Sequence, residues 1–220
     1  VGFGTYNIPA GCWSDDTSMA LCALQSLAKG VINYDEIMRN FGKWCYDGDF
    51  TPDGFVFDIG NTCSYAIDNY FYGKMSAISC GLSDVMSNGN GSLMRIHPFV
   101  LYAYAKKLPF GEWLNLIKSG SAITHAHDRS ELGCLIYAFV LIHLLGEQSI
   151  DALQHGLRRA ECHLRECAEI SHYKRIFRSD FASLGRDEIK SSGYVVDTLE
   201  AALWCVMTTT DYKSCVLKAV

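Results

Sequence analysis

The chain has 220 residues, 49% of them apolar and 20% charged, which excludes a disordered or fibrous protein and suffices for one large core. Its 19 basic and 24 acidic residues leave a net charge of −5 with no basic run longer than a pair, which argues against a nucleic-acid surface or a membrane-binding basic face. Ten cysteines occur without one CxxC, and the closest pair, Cys162 and Cys167 around His163, lacks zinc-site spacing, so a reduced, cytoplasmic protein is expected.

The predicted elements are almost all helical. In "GCWSDDTSMA", residues 11–20, Ser14 stands at an N-cap position, and Met19, Ala20, Ala23, Leu24, Leu27 and Ala28 follow at helical spacing until Gly30. A second helix is expected over Tyr34 to Trp44. The loop "DGDFTPDGFVFDIGNT" comes next, with "GFVFDIG" the one short strand candidate. A third helix starts at Asn61 or Thr62 and reaches about Tyr72. After the glycine-rich "SNGNGS", residues 87–92, a helix from Leu93 to Lys107 is broken by Pro109 and Gly111, and Glu112 to Gly120 makes a short one. "THAHDRSELG" opens a long buried helix ending near Gly146, whose apolar stretch Leu132 to Leu145 is shorter than the roughly 20 residues of a membrane span. Further helices are expected over Ile150 to His172, Val195 to Met207, and from "TTTDYKSC" to Val220. With no repeat and no Pro/Gly/Ser-rich linker, residues 1–220 read as one all-α domain.

Four stretches could carry chemistry. Ser14, Asp15, Asp16 and Thr17 are either a cap with acids at the positive end of a helix, or oxygen donors for a hard cation that cancels the repulsion of the paired carboxylates. "SNGNGSLMR" is either an ordinary turn or a loop whose glycines let backbone approach a phosphate or ribose. It is no P-loop, because the Lys-Ser/Thr ending is missing. Thr124, His125, His127 and Asp128 stand at the rim of the buried helix, and Tyr194 in "SSGYVVDTLEAALW" could line a pocket or stack on a base.

Taken together, "PAGCWSDDTSMALCALQSL", "FDIGNT", "SNGNGSLMRIHP", "ITHAH" and "SGYVVDTLEAALW" resemble the ADP-ribosylglycohydrolase family over nearly the whole chain, most weakly between Glu147 and Lys190. The resemblance implies a single compact all-α helical bundle with a binuclear Mg²⁺ or Mn²⁺ site at the base of a cleft that binds ADP-ribose or an ADP-ribosylated protein. It implies that Ser14, Asp15 and Asp16 are metal ligands and that Ser87, Gly89, Asn90 and Gly91 hold the phosphates and ribose. It also implies that His125 lines the ADP-ribose site and that Tyr194 helps enclose it. The family's N-terminal G-D-A-x-G segment, with its acidic catalytic candidate, and its C-terminal D-x-D-T metal motif are not in this sequence. Truncation at both ends and weak activity of this chain alone are therefore expected. The activity implied is hydrolysis of the bond between ADP-ribose and an acceptor. The rival reading is a non-catalytic ADP-ribose binder or a structural protein like the lens crystallin of the family.

Overall fold

A computed structural model describes Phe3 and residues 5–147 and 149–219. Among these residues there are nine α-helices and no strand; the extended pairings are two isolated bridges, Leu82 with His125 and Gly89 with Tyr194. The expected all-α architecture is the observed one, and "GFVFDIG" is loop.

Helix α1, Asp15–Leu27, buries Met19, Cys22, Ala23, Ser26 and Leu27, the three- and four-residue steps of one helix face. Helix α2, Tyr34–Gly42, starts where the Asn33 side chain accepts a hydrogen bond from the Glu36 amide at 3.0 Å. It runs on through a wide π-type turn, Lys43–Asp47, to Gly48 at φ +77°, where a Cβ would overlap the Gly54 carbonyl oxygen. Helix α3 is Asn61–Phe71.

The middle of the chain departs from expectation in two places. Leu93–Arg95 forms a single tight turn, and helix α4 is His97–Ala105. Pro98 has no N–H and fits only a first turn, so the helix begins just before it. Helix α5, Phe110–Ala122, is longer than expected because Pro109 starts it and Gly111 sits in its first turn.

Helix α6, Asp128–Glu147, lies at the centre and packs against α4, α5, α7 and α8. Its 20 residues exceed the apolar stretch seen in the sequence, and by length and hydropathy it could cross a membrane; here 50% of its most apolar window is buried inside the protein. Helix α7, Ile150–Leu164, is capped by the Ser149 hydroxyl, which accepts from the Ala152 amide at 3.1 Å.

The continuous helix expected to His172 ends at Leu164. Cys167 is extended (ψ 134°), and Ala168–Phe177 then winds three residues per turn, which brings Tyr173 and Ile176 together into the core. The Tyr173 hydroxyl donates to the Arg129 carbonyl at 2.7 Å. Helix α8 is Val195–Met207 and α9 is Tyr212–Ala219; the expected end at Val220 lies outside the described residues. All ten cysteines carry free thiols.

Candidate active site

The start of α1 carries the first wall of the site. Ser14 occupies the N-cap position with extended backbone, but its side chain makes no cap; its hydroxyl instead donates to Asp16 Oδ2 at 2.7 Å. The two aspartates are therefore not explained by capping alone. Asp15 is 8% exposed, and burial, followed by the charges of Asp16 and Asp58, pushes its carboxyl up to about 7. Asp58 reaches the same place from the loop before α3, with φ +58°, left-handed backbone that a non-glycine residue seldom adopts. The Tyr6 hydroxyl donates to Asp58 Oδ1.

The second wall is the "NGNG" loop, held in place from α8. The Asn90 amide donates to the Gly193 carbonyl at 2.9 Å, and the Val195 amide donates to the Asn88 carbonyl at 3.0 Å. The Asn90 side chain donates to Thr198 Oγ1 at 3.1 Å, while Ser130 Oγ donates to Asn88 Oδ1 at 2.9 Å. At Gly91 only glycine fits, because a Cβ would lie 2.8 Å from Cys63 Sγ and 2.8 Å from His125 Cε1.

The third wall is His125, 2% exposed, in the turn between α5 and α6. The Leu82 amide donates to the Thr124 carbonyl at 3.1 Å and the Ala126 amide to the Leu82 carbonyl at 2.9 Å. The crossing is so close that a side chain at Gly81 would overlap the Ala122 carbonyl oxygen. Beneath the turn lies Arg95, 0% exposed, donating to Gly120 O at 2.8 Å and to Thr124 Oγ1 at 2.6 Å, with Phe41 5.2 Å from its guanidinium. Burial, followed by the Arg95 charge, lowers the His125 imidazole to about 3, so it is neutral at ordinary pH.

These walls enclose a cavity of about 340 Å³. Of the residues singled out from the sequence, Asp15, Asp16, Gly89, Asn90, Gly91 and His125 line it together. Ser14 and Ser87 do not: Ser14 is turned onto Asp16, and Ser87 is buried in a turn with its amide bonded to the Asp84 carbonyl at 2.9 Å. Tyr194 lies past Gly193, along a neighbouring cleft of about 500 Å³ that also holds Lys174, Arg175 and Lys190, with the Arg129 guanidinium 5.8 Å from its ring. His127 serves the start of α6, its Nδ1 accepting from the Arg129 amide at 3.1 Å.

Asp58, Asn61, Thr62 and Cys63 also line the cavity, although the sequence assigns them no role; the usable signal was an acid two residues before a glycine at a helix start. One layer behind stand Thr124, singled out in the sequence with the histidine turn, and Arg95, which ends "SNGNGSLMR" and carried no signal of its own.

The acidic wall offers hard oxygen donors, the kind a magnesium or manganese ion takes. A cation against Asp15 and Asp16 would reverse the upward shift of Asp15. Among the described residues, however, no three His, Cys, Asp or Glu side chains cluster as ligands of one ion. The carboxylates thus fit as part of a donor set.

The sequence profile of the ADP-ribosylglycohydrolase family matches residues 2–220. The chain belongs to this family. An ADP-ribosylarginine hydrolase Tri1 of Pseudomonas putida (strain GB-1) is 32% identical over 221 residues, covering 100% of this chain and 56% of that protein. An ADP-ribosyl-[dinitrogen reductase] glycohydrolase of Rhodospirillum rubrum is 27% identical over 220 residues, covering 100% of this chain and 65% of the relative. A solved chain described as an ADP-ribosylglycohydrolase-related protein complex shares the fold, with a TM-score of 0.76 and 24% identity over 99% of this chain and 67% of that one. The chain therefore spans little more than half the length of its Pseudomonas relative.

Proposed function

We propose that this site works in hydrolysis of the glycosidic bond between ADP-ribose and an acceptor, a modified protein side chain or a small conjugate. The observation that carries the reading is the single cavity in which the Asp15–Asp16 pair faces the glycine loop and His125, in a chain of this family. Asp15 and Asp16, oriented by Ser14, would hold Mg²⁺ or Mn²⁺, in a binuclear site if further ligands join them. The metal would supply positive charge beside the ribose hydroxyls.

The remaining roles belong to the protein. The backbone of Gly89, Asn90 and Gly91 packs against the pyrophosphate and ribose, in a loop that lies so close to Cys63 and His125 that a larger residue at Gly91 would push it out of place. His125 offers a neutral polar edge to the ligand, and Tyr194 closes the far end at the mouth of the second cleft. Bond cleavage generates positive charge at the ribose C1 carbon, which the carboxylate wall tolerates better than a neutral one. Water then replaces the acceptor there.

The test is calorimetric titration of the chain with ADP-ribose, with and without Mg²⁺, followed by chromatography for ADP-ribose released from an ADP-ribosylated arginine peptide. Metal-dependent micromolar binding with release supports the reading. Binding without release would leave a non-catalytic binder, and no binding under either condition would overturn the assignment of the cavity.

A further inference from the structure

His125 meets the cavity through one ring nitrogen and the protein interior through the other. Nδ1 lies 2.9 Å from Thr124 Oγ1. The ring's hydrogen bond among the described residues is made through Nδ1, and Nε2 stands beside the two glycines of the loop, 3.7 Å from where a Gly89 Cβ would be and 3.3 Å from where a Gly91 Cβ would be. Which nitrogen carries the proton decides what the ring shows the ligand: an Nε2–H donates a hydrogen bond, whereas a bare Nε2 accepts one, takes a proton or binds a metal.

Thr124 answers this through its own hydrogen-bond count. Its oxygen already accepts from Arg95 Nη2 at 2.6 Å, a charge-assisted bond from a fully buried guanidinium. A hydroxyl has one proton to give, and the acceptor within reach is His125 Nδ1. The opposite arrangement, an Nδ1–H pointed at Thr124 Oγ1, would aim a second proton at an oxygen occupied by a cation and leave the threonine proton without a good acceptor. The Cys63 thiol is the other group beside Thr124, and burial pushes it up to about 12, so it remains a protonated sulfur and a weak acceptor.

We propose that Thr124, with its hydroxyl oriented by Arg95, is a positioning residue that holds His125 with its proton on Nε2, so that the site presents a fixed hydrogen-bond donor to an oxygen of the ligand and neither a general base nor a metal ligand. The inference depends on the ADP-ribose reading only for the identity of that oxygen. Anchoring is strong because both ends of the relay are held. Arg95 is bound to Gly120 O, and the His125 amide donates to Ser121 O at 2.8 Å while Ser121 Oγ donates to the His125 carbonyl at 3.0 Å.

The experiment is long-range ¹H–¹⁵N correlation NMR on ¹⁵N-histidine-labelled chain without ligand, in which the two neutral tautomers give different patterns. The His125 signals are assigned by their loss in His125→Gln. The expected result is the Nε2–H pattern in the wild type and in Thr124→Ser, and its replacement by the Nδ1–H pattern or a mixture in Thr124→Val. Calorimetry with ADP-ribose is then expected to show an affinity about tenfold weaker for Thr124→Val than for Thr124→Ser, the size of one lost hydrogen bond. An Nδ1–H pattern in the wild type overturns the proposal even if no variant folds, and so does an unchanged pattern in folded Thr124→Val. If the wild type shows Nε2–H but never binds ADP-ribose, the tautomer assignment survives and the ligand assignment falls.

Discussion

The two sides of the cavity are built on opposite principles. On one side Asp15, Asp16 and Asp58 crowd like charges together, and the buried Asp15 carboxyl is pushed up to about 7 as a result. On the other side Arg95, Thr124 and His125 form a buried chain linked by hydrogen bonds, in which Arg95 Nε and the His125 Nε2 beside the glycine loop are the polar atoms without a partner among the described residues. A wall that is uncomfortable alone is one whose comfort comes from a ligand; a wall already satisfied serves to hold one group at a set angle. The acidic wall therefore costs stability when nothing is bound, and the relay wall contributes it.

The strongest way to break this contrast is Arg95→Ala. It strips donors from Gly120 O, Ser121 O and Thr124 Oγ1 at about 1–3 kcal/mol for each buried group left unpaired, and opens a cavity beside Phe41. A net loss of at least about 3 kcal/mol is expected, read as a fall in Tm on the order of 10 °C by calorimetry. A fall of under 2 °C would show, at about 2–4 °C per kcal/mol, that the relay contributes nothing.

An intermediate effect is expected for Gly91→Ala. Its Cβ would meet Cys63 Sγ and His125 Cε1 at 2.8 Å each, costing about 1–3 kcal/mol and turning the ring away from the ligand. ADP-ribose affinity should fall about tenfold or more, measured by titration. Unchanged affinity would mean that the loop and the ring do not act on one ligand.

Asp15→Asn sharpens the contrast from the acidic side, with a smaller effect of opposite sign. A carboxyl whose folded pKa of about 7 exceeds its ordinary 3.8 takes up a proton on folding, so its ionisation erodes stability as pH rises from about 4 to about 7, and the loss persists above that. Without divalent metal, Asp15→Asn should raise Tm at pH 8 by a few degrees and by less at pH 5, where the native carboxyl is already neutral. Added Mg²⁺ should stabilise the wild type and leave the variant unmoved. A variant less stable than wild type at both pH values would return these aspartates to a purely structural role.

Legibility in the sequence followed how local each feature is. Helix α1 and its acidic start were readable because the apolar steps and "SDDT" lie within a few turns. The site pieces "NGNG" and "ITHAH" stood out for similar reasons: glycine and histidine are informative residues at short range. The end of α7 was not readable, since 150–172 is compatible with a helix throughout. It breaks because Tyr173 and Ile176 find burial against the central helix only if the chain tightens and turns back. Asp58 was missed because its loop has no periodicity; the position of its carboxylate depends on left-handed backbone and on the approach of α1.

The amino-acid sequence was enough for an all-helical chain, the family to which it belongs, and a set of short segments proposed to touch phosphate, ribose and a hard cation. Which of those segments share one cavity, that Ser14 is turned onto Asp16, that Tyr194 stands along a second cleft, and that a buried arginine stands behind His125 were decided only by tertiary structure. Short-range patterns report the energetics of single turns of chain, whereas a hydrogen bond between residues 95 and 124, 29 positions apart, exists only after the core has closed around both.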